Sequence, residues 1–168
     1  MTATPLQIAN LGATIANRGY YITPHVVKEI EDTPQDTLYT SKRYTMVRKE
    51  HYETVVQGMR AAVTGGTCRA ADIPGLDVCG KTGTAQNRGK DHSAFMGFAP
   101  MNNPKIAVSV YVEKGGWGAT YGVPIGALIM EKYINGKLSP ESEIKATDIQ
   151  KRRIDYGTSH SRHPLRCK

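Results

Sequence analysis

The sequence predicts an α+β fold in which an antiparallel sheet, three strands of it in this chain, is flanked by helices. Three observations point there. Apolar residues recur at helical spacing near residues 4–16, 51–64 and 124–134. Three apolar segments, residues 76–84, 93–100 and 105–113, have strand character. The links between them are short, and short links join antiparallel neighbours, whereas a parallel pair needs a long crossover.

Thr4-Pro5 starts the first helix with a capping hydroxyl and a proline in the first turn. Ile8, Leu11 and Ile15 continue it, with Ala9, Ala13 and Ala16 alongside, and Asn17-Arg18-Gly19 stops it. "YYITPHVVKEIED" reads as extended, with Pro24 confining it to an edge or a strand start. Residues 33–49 are polar and turn-rich. From His51, the spacing of Tyr52, Val55, Val56, Met59, Ala62 and Val63 predicts an amphipathic helix closed by Gly65-Gly66. "GLDVCGKTGTAQ" (75–86) follows a loop and opens the strand region. "SAFMGFAP" and "KIAVSVYVE" flank the turn Met101–Pro104, and Pro124 begins a last helix carrying Ile125, Leu128, Ile129, Tyr133 and Ile134.

Bulk properties narrow the functional classes. At 168 residues, with 39% hydrophobic and 22% charged residues, the chain suffices for one domain with a sizeable core. No run approaches the roughly 20 apolar residues of a membrane span, and the start lacks a signal-peptide layout. Of the net charge of +7, +4 falls from Lys137 onward, and no aromatic-basic platform accompanies it, which argues against nucleic acid as a partner. Residues 137–168 are therefore expected to be a polar basic tail, partly disordered, with residues 1–136 forming the domain. Cys68, Cys79 and Cys167 include no C-x-x-C, so no zinc site is expected. Cys68 and Cys79 are read as two buried thiols or, in an oxidising compartment, a disulfide. No cofactor is expected.

The chemistry concentrates in residues 75–86. Gly75, Gly80, Lys81 and Thr82 satisfy the spacing of a phosphate-binding P-loop, G-x-x-x-x-G-K-[ST]. That motif needs a strand before it, a flexible loop within it and a helix from the lysine on. Here "RAADIP" is a poor strand, Leu-Asp-Val-Cys has strand character, and "TGTAQNRG" cannot run as a helix. Taken as a strand, the stretch places Thr82 and Thr84 on one face, where two hydroxyls can bind one carboxylate. Gly83 lets another backbone approach, and Lys81 brings a positive charge. An extended peptide ending in a carboxylate fits such an edge by strand addition; an ordinary edge strand with a solvated lysine is the plainer alternative.

The surroundings resemble one family. "TPLQIANLGATIANRG", "VCGKTGTAQ", "DHSAFMGFAP", "PKIAVSVYVE" and "GGWGATYGVPIGALIMEKYI" are similar, in the same order, to blocks of class B penicillin-binding proteins, and most similar to the penicillin-binding protein 2 type. The resemblance runs from Thr4 to Gly136. It implies the C-terminal part of the penicillin-binding protein/serine β-lactamase-like transpeptidase fold. It also implies serine acyl transfer on peptidoglycan stem peptides, with β-lactams as substrate mimics. It would make Lys81 part of the proton relay, Thr82 and Thr84 the carboxylate clamp, Gly83 the point of close approach, and the Thr84 N–H half of the oxyanion hole. The full-length protein would be anchored at the periplasmic face of the inner membrane, in a cell-elongation complex.

The family's S-x-x-K and S-x-N motifs do not precede Lys81; the one serine among the first 80 residues is Ser41, followed by Lys42-Arg43-Tyr44. Ser142–Lys145 and Tyr133–Asn135 spell related motifs, but after K-T-G and so in the wrong order. This chain is therefore expected to be inactive by itself, and to self-associate through the exposed edge of residues 76–84. A non-enzymatic β-lactam or muropeptide sensor would be built on the same scaffold; a β-lactamase or carboxypeptidase of the same superfamily shares K-T-G but is not expected to reproduce the Thr4 helix block so fully. His92 and Trp117 are weaker candidates: the first for lining the cleft or for a structural role, the second for the rim of the site or for packing on the last helix.

Overall fold

Thr4 caps the first helix, α1 (Pro5–Ala16), in the structure, a computed structural model that describes residues 3–86, 89–154 and 156. Its hydroxyl accepts the Gln7 N–H (3.3 Å), and the Gln7 side-chain oxygen accepts the Thr4 N–H (2.8 Å), a reciprocal cap. Arg18 (φ 57°) and Gly19 (φ 111°) then turn the chain. The Arg18 guanidinium holds the turn, donating to the carbonyls of Ala16 (2.6 Å) and Met101 (3.1 Å) and pairing with Glu53 (3.2 Å).

Next come β1 (Tyr20–Tyr21), α2 (Thr37–Thr40), β2 (Arg43–Tyr44) and α3 (Lys49–Thr64). They are followed by β3 (Cys79–Ala85), β4 (His92–Ala99), β5 (Ile106–Val112), α4 (Gly122–Asn135) and α5 (Pro140–Lys151). β3, β4 and β5 form the expected three-stranded antiparallel sheet in that order, and β1 and β2 a two-residue ribbon.

Three local expectations need correction. After Tyr21 the chain leaves the strand, because Pro24 lacks the donor a ladder needs, and Val26 and Val27 stay exposed. β3 starts at Cys79 instead of Leu76; Gly75 (φ 80°) and Asp77 (φ 43°) hold the approach in a turn, although Leu76 and Val78 are buried. The segment expected as a polar tail holds α5, capped by Ser139 and started by Pro140. The expectations for Cys167 and "SHSRHPLRCK" concern residues outside those described.

An acid on α4 anchors the start of α5, and Arg152 at its end donates to the Thr120 carbonyl (3.2 Å). Glu131 on α4 is buried, its Oε1 accepts the Ser139 N–H (3.0 Å), and the carboxylate faces the N-terminus of α5. Burial pushes its pKa up, but the Ser142 and Ser139 hydroxyls, the Ser139 amide and the Lys145 ammonium outweigh that and hold it below the ordinary glutamate value.

Period-two alternation divides the sheet into two faces, each with its own core. On one, α1 and α3 cover Met96, Phe98 and Cys79, with Ile15, Tyr52, Val56 and Met59 packed against them. On the other, α4 covers Phe95, Val108 and Val110, with Val63, Cys68, Val123 and Met130. Cys68 and Cys79 thus lie in different cores, buried and unbridged. Phe95 is enclosed by glycines. A Cβ built on Gly80 of β3, Gly97 of β4 or Gly126 of α4 would stand 2.5 Å from its ring. Its near-complete burial contributes roughly 1.5–3 kcal/mol.

An alanine inside a helix normally stabilises relative to glycine, and Gly58 of α3, with nothing within 4 Å of its Cβ position, follows that rule. Gly58→Ala should add up to about 1 kcal/mol in urea unfolding, whereas Gly126→Ala should cost about 1–3 kcal/mol through overpacking against Phe95. Glu131→Gln should remove on the order of 1 kcal/mol at neutral pH. Because the folded-state pKa is depressed, that contribution is present above the unfolded-state value and is lost as pH falls through the folded one. The two unfolding curves should therefore converge in acid.

Candidate functional site

β3 carries Lys81, Thr82, Gly83 and Thr84 in one strand, paired with Met96, Phe95, Ala94 and Ser93 of β4. A strand at this position leaves no helix for a P-loop to run into, and the nucleotide-binding reading falls. The alternation separates the four residues as the sequence implies. Thr82 and Thr84 share the face on which Phe95 meets α4; Lys81 and Gly83 share the face turned toward α1.

The surroundings hold β3 by its neighbours. Arg60 of α3 donates to the Val78 carbonyl (3.1 Å) and bridges to Asp72 (3.2 Å) and Asp77 (3.6 Å), fixing the approach to the strand. Thr67, just after α3, places its hydroxyl 2.8 Å from that of Thr82. Nothing in the sequence distinguished Thr67 from a loop threonine. The Lys81 ammonium donates to the Thr82 carbonyl (2.9 Å) and is exposed. The Cys68 thiol lies behind the strand, and burial raises its pKa despite Thr67, the Thr82 backbone and Lys81; burial likewise pushes the Cys79 thiol up to about 11 against Arg60 and Arg18.

The glycine-rich loop before α4 is pinned over the sheet by a residue the sequence did not single out. Buried Ser93 donates to the carbonyls of Trp117 (2.8 Å) and Gly118 (3.2 Å) and accepts the Gly122 N–H (3.0 Å), so one hydroxyl anchors the loop and satisfies the start of α4. Gly118 comes so close that a Cβ there would stand 2.7 Å from the Gly83 carbonyl and 3.0 Å from the Thr82 Cβ. Only a glycine fits. His92 is buried; its Nδ1 accepts the Lys114 N–H (3.0 Å), and its ring stacks on Tyr111 (5.3 Å), a structural role. The Trp117 side chain is 75% exposed and is not packed on α4.

On the other face, a groove of about 860 Å³ runs between α1 and the sheet. Leu11, Lys81, Gly83, Ala94, Met96 and Tyr111 are among its lining residues. Leu11, expected in the core, is half exposed there. A second cavity, about 480 Å³, is formed by residues 24–39 and contains none of the candidate residues. Among the described residues no group of three His, Cys, Asp or Glu could hold a metal ion, and no helix is long and apolar enough to cross a membrane. Ser142 and Lys145 belong to α5, where Lys145 pairs with Glu141 (2.8 Å), and Asn135 ends α4, so neither downstream motif joins β3.

Residues 1–134 match the family described as "Penicillin binding protein transpeptidase domain". The peptidoglycan D,D-transpeptidase MrdA of Haemophilus influenzae is 30% identical over 174 residues, covering 90% of this chain and 27% of that protein. Among solved structures, Pseudomonas aeruginosa PBP2 superposes with a TM-score of 0.68 at 38% identity, covering 84% of this chain and 32% of that one. A ceftriaxone acyl-enzyme of penicillin-binding protein A from Mycobacterium tuberculosis superposes with a TM-score of 0.66 at 29% identity, covering 78% and 32%. The chain spans less than a third of each of these three proteins.

The buried thiols give a direct check on the two-core arrangement. With Cys167 replaced by serine, Cys68 and Cys79 should resist iodoacetamide at pH 8 in the native protein, because thiolate is the reactive form and both pKa values are raised. Mass spectrometry should show both alkylated after denaturation, and no disulfide under non-reducing conditions.

Proposed function

This chain belongs to the penicillin-binding protein transpeptidase family, and we propose that it supplies the substrate-docking edge of a serine D,D-transpeptidase acting on peptidoglycan stem peptides and inhibited by β-lactams. The observation that carries the proposal is the K-T-G-T strand itself: two threonine hydroxyls on one face, glycine between them, and an edge that pairs with no other strand among the described residues. The nucleophilic serine comes from polypeptide outside this sequence, in which no S-x-x-K precedes Lys81.

The chemistry assigned to each residue follows from its donors. The serine Oγ attacks the D-Ala-D-Ala carbonyl and gives up its proton, the terminal D-Ala leaves, and an amine of a second stem peptide or water resolves the acyl-enzyme. Thr82 and Thr84 hold the substrate carboxylate. When Thr67 donates to the Thr82 oxygen, the Thr82 hydrogen is free to point at that carboxylate. The Thr84 N–H faces the developing oxyanion, where a preorganised donor lowers the barrier. Lys81 exchanges its bond to the Thr82 carbonyl for a place in the proton relay beside the incoming serine. Gly83 keeps the approach clear. In this reading the whole protein works at the outer face of the cytoplasmic membrane, anchored by a segment outside this sequence, within a complex that elongates the cell wall.

The assignment is tested by acylation. This chain alone should not be labelled by fluorescent penicillin, while a polypeptide that joins it to the rest of the transpeptidase domain should be. In that longer polypeptide, Thr84→Val removes one charge-assisted hydrogen bond and should slow acylation about 10–100-fold. Labelling of the chain alone, or unchanged labelling of the Thr84 variant, would contradict the proposal.

A further inference from the structure

The loop between β5 and α4 is gripped from two sides. Residues 114–121 include Gly115, Gly116 (φ 73°) and Gly118, and the Trp117 side chain is mostly exposed, so little side-chain packing fixes their course. On the inner side the Ser93 hydroxyl holds the loop, and Gly118 rests against the Gly83 carbonyl and the Thr82 Cβ. On the outer side it is held by the chain that follows α4. Arg152, just past α5, donates to the Thr120 carbonyl (3.2 Å) and lies over the Tyr121 ring (5.8 Å). Lys114, at the other end of the loop, donates to the Tyr156 carbonyl and lies over the Tyr156 ring (5.4 Å).

The course of α5 makes this outer grip possible. Glu131, in the C-terminal half of α4, takes the start of α5, and Arg152 at its other end reaches the residues just before α4. α5 therefore runs back along α4. The lengths match, since 14 and 12 residues rise about 21 and 18 Å. Asp148, one turn before Arg152, accepts from its Nε (3.0 Å) and Nη2 (2.6 Å), which orients the guanidinium and leaves Nη1 for Thr120. The family match ends at residue 134, before α5 begins.

We propose that Arg152 is a positioning residue for the docking strand, with α5 as the arm that carries it. Its partners Asp148, Thr120 and Tyr121 include no residue of β3. It acts by holding Thr120 and Tyr121, and through them Gly118, against β3 at Thr82 and Gly83. When the loop lifts, β3 loses its cover on the face of Thr82 and Thr84, and the carboxylate clamp loses its fixed geometry. The inference rests on the reading of β3 as the edge that docks the substrate.

The test uses the polypeptide that joins this chain to the rest of the transpeptidase domain. Arg152→Ala should lower the rate constant of acylation by fluorescent penicillin about 3–10-fold, with complete labelling at the end of the reaction and an unchanged urea midpoint. Arg152→Lys keeps a donor for the Thr120 carbonyl and should recover most of the rate. Hydrogen exchange followed by mass spectrometry should quicken across residues 114–122 of the alanine variant and stay unchanged in β4. A merely structural role would instead lower the midpoint and the labelled fraction while the folded fraction reacts at the wild-type rate, and that result would overturn the inference. So would an alanine variant with unaltered acylation or unaltered exchange in the loop. Where the wild-type polypeptide itself is not labelled, the docking-edge reading falls, and this inference falls with it.

Discussion

The ring of Phe95 fixes the distances on which the sheet and its site depend. Three backbones approach it where no side chain intervenes: β3 at Gly80, β4 at Gly97 and α4 at Gly126, each at a distance that excludes even a methyl group. Gly80 immediately precedes Lys81, and Phe95 is the register partner of Thr82. The strand that presents the candidate site is therefore seated by an apolar contact on its own α4 face. Interiors packed this closely transmit displacement instead of absorbing it. A shift of α4 has to move the ring, and a moving ring displaces β3. Ser93, two residues away, extends the same logic to the glycine loop by holding it to β4 with one buried hydroxyl.

What could be read from the sequence was what is local or periodic. Thr4-Pro5 announced α1, the alternation in Cys79–Ala85 set which side chains share a face, and the turn at Met101–Pro104 made β4 and β5 neighbours. The roles of Thr67, Ser93 and Glu131 were not legible. Each depends on a partner that only folding brings near: Thr82 for Thr67, the loop carbonyls for Ser93, the start of α5 for Glu131. α5 was hidden for a related reason. Its composition is that of a solvated segment, and contacts with α4 and the residues just before it that only folding makes, Glu131 at its start and Arg152 on Thr120 and Tyr121 at its end, place it. Leu11 shows the converse. Its helical spacing marks it as core, yet it borders an open groove, because burial depends on what lies opposite.

The site has a clear division of labour. Thr82 and Thr84 look to one face and Lys81 to the other, so in the proposed reaction hydroxyl donors and ammonium would reach a ligand at the strand edge from different sides. Such a strand can grip a carboxylate and a backbone, but it contains no nucleophile. In the proposed reaction, recognition and oxyanion stabilisation belong to this chain, and bond formation belongs to a serine brought to its edge.

A crystal structure of a β-lactam acyl-enzyme, in a polypeptide joining this chain to the rest of the transpeptidase domain, tests that division most directly. The account predicts the drug carboxylate within hydrogen-bonding distance of the Thr82 and Thr84 hydroxyls. It places the acyl carbonyl oxygen on the Thr84 N–H and the ester on a serine outside these 168 residues. A carboxylate bound away from β3, or an ester to any residue of this chain, would contradict it.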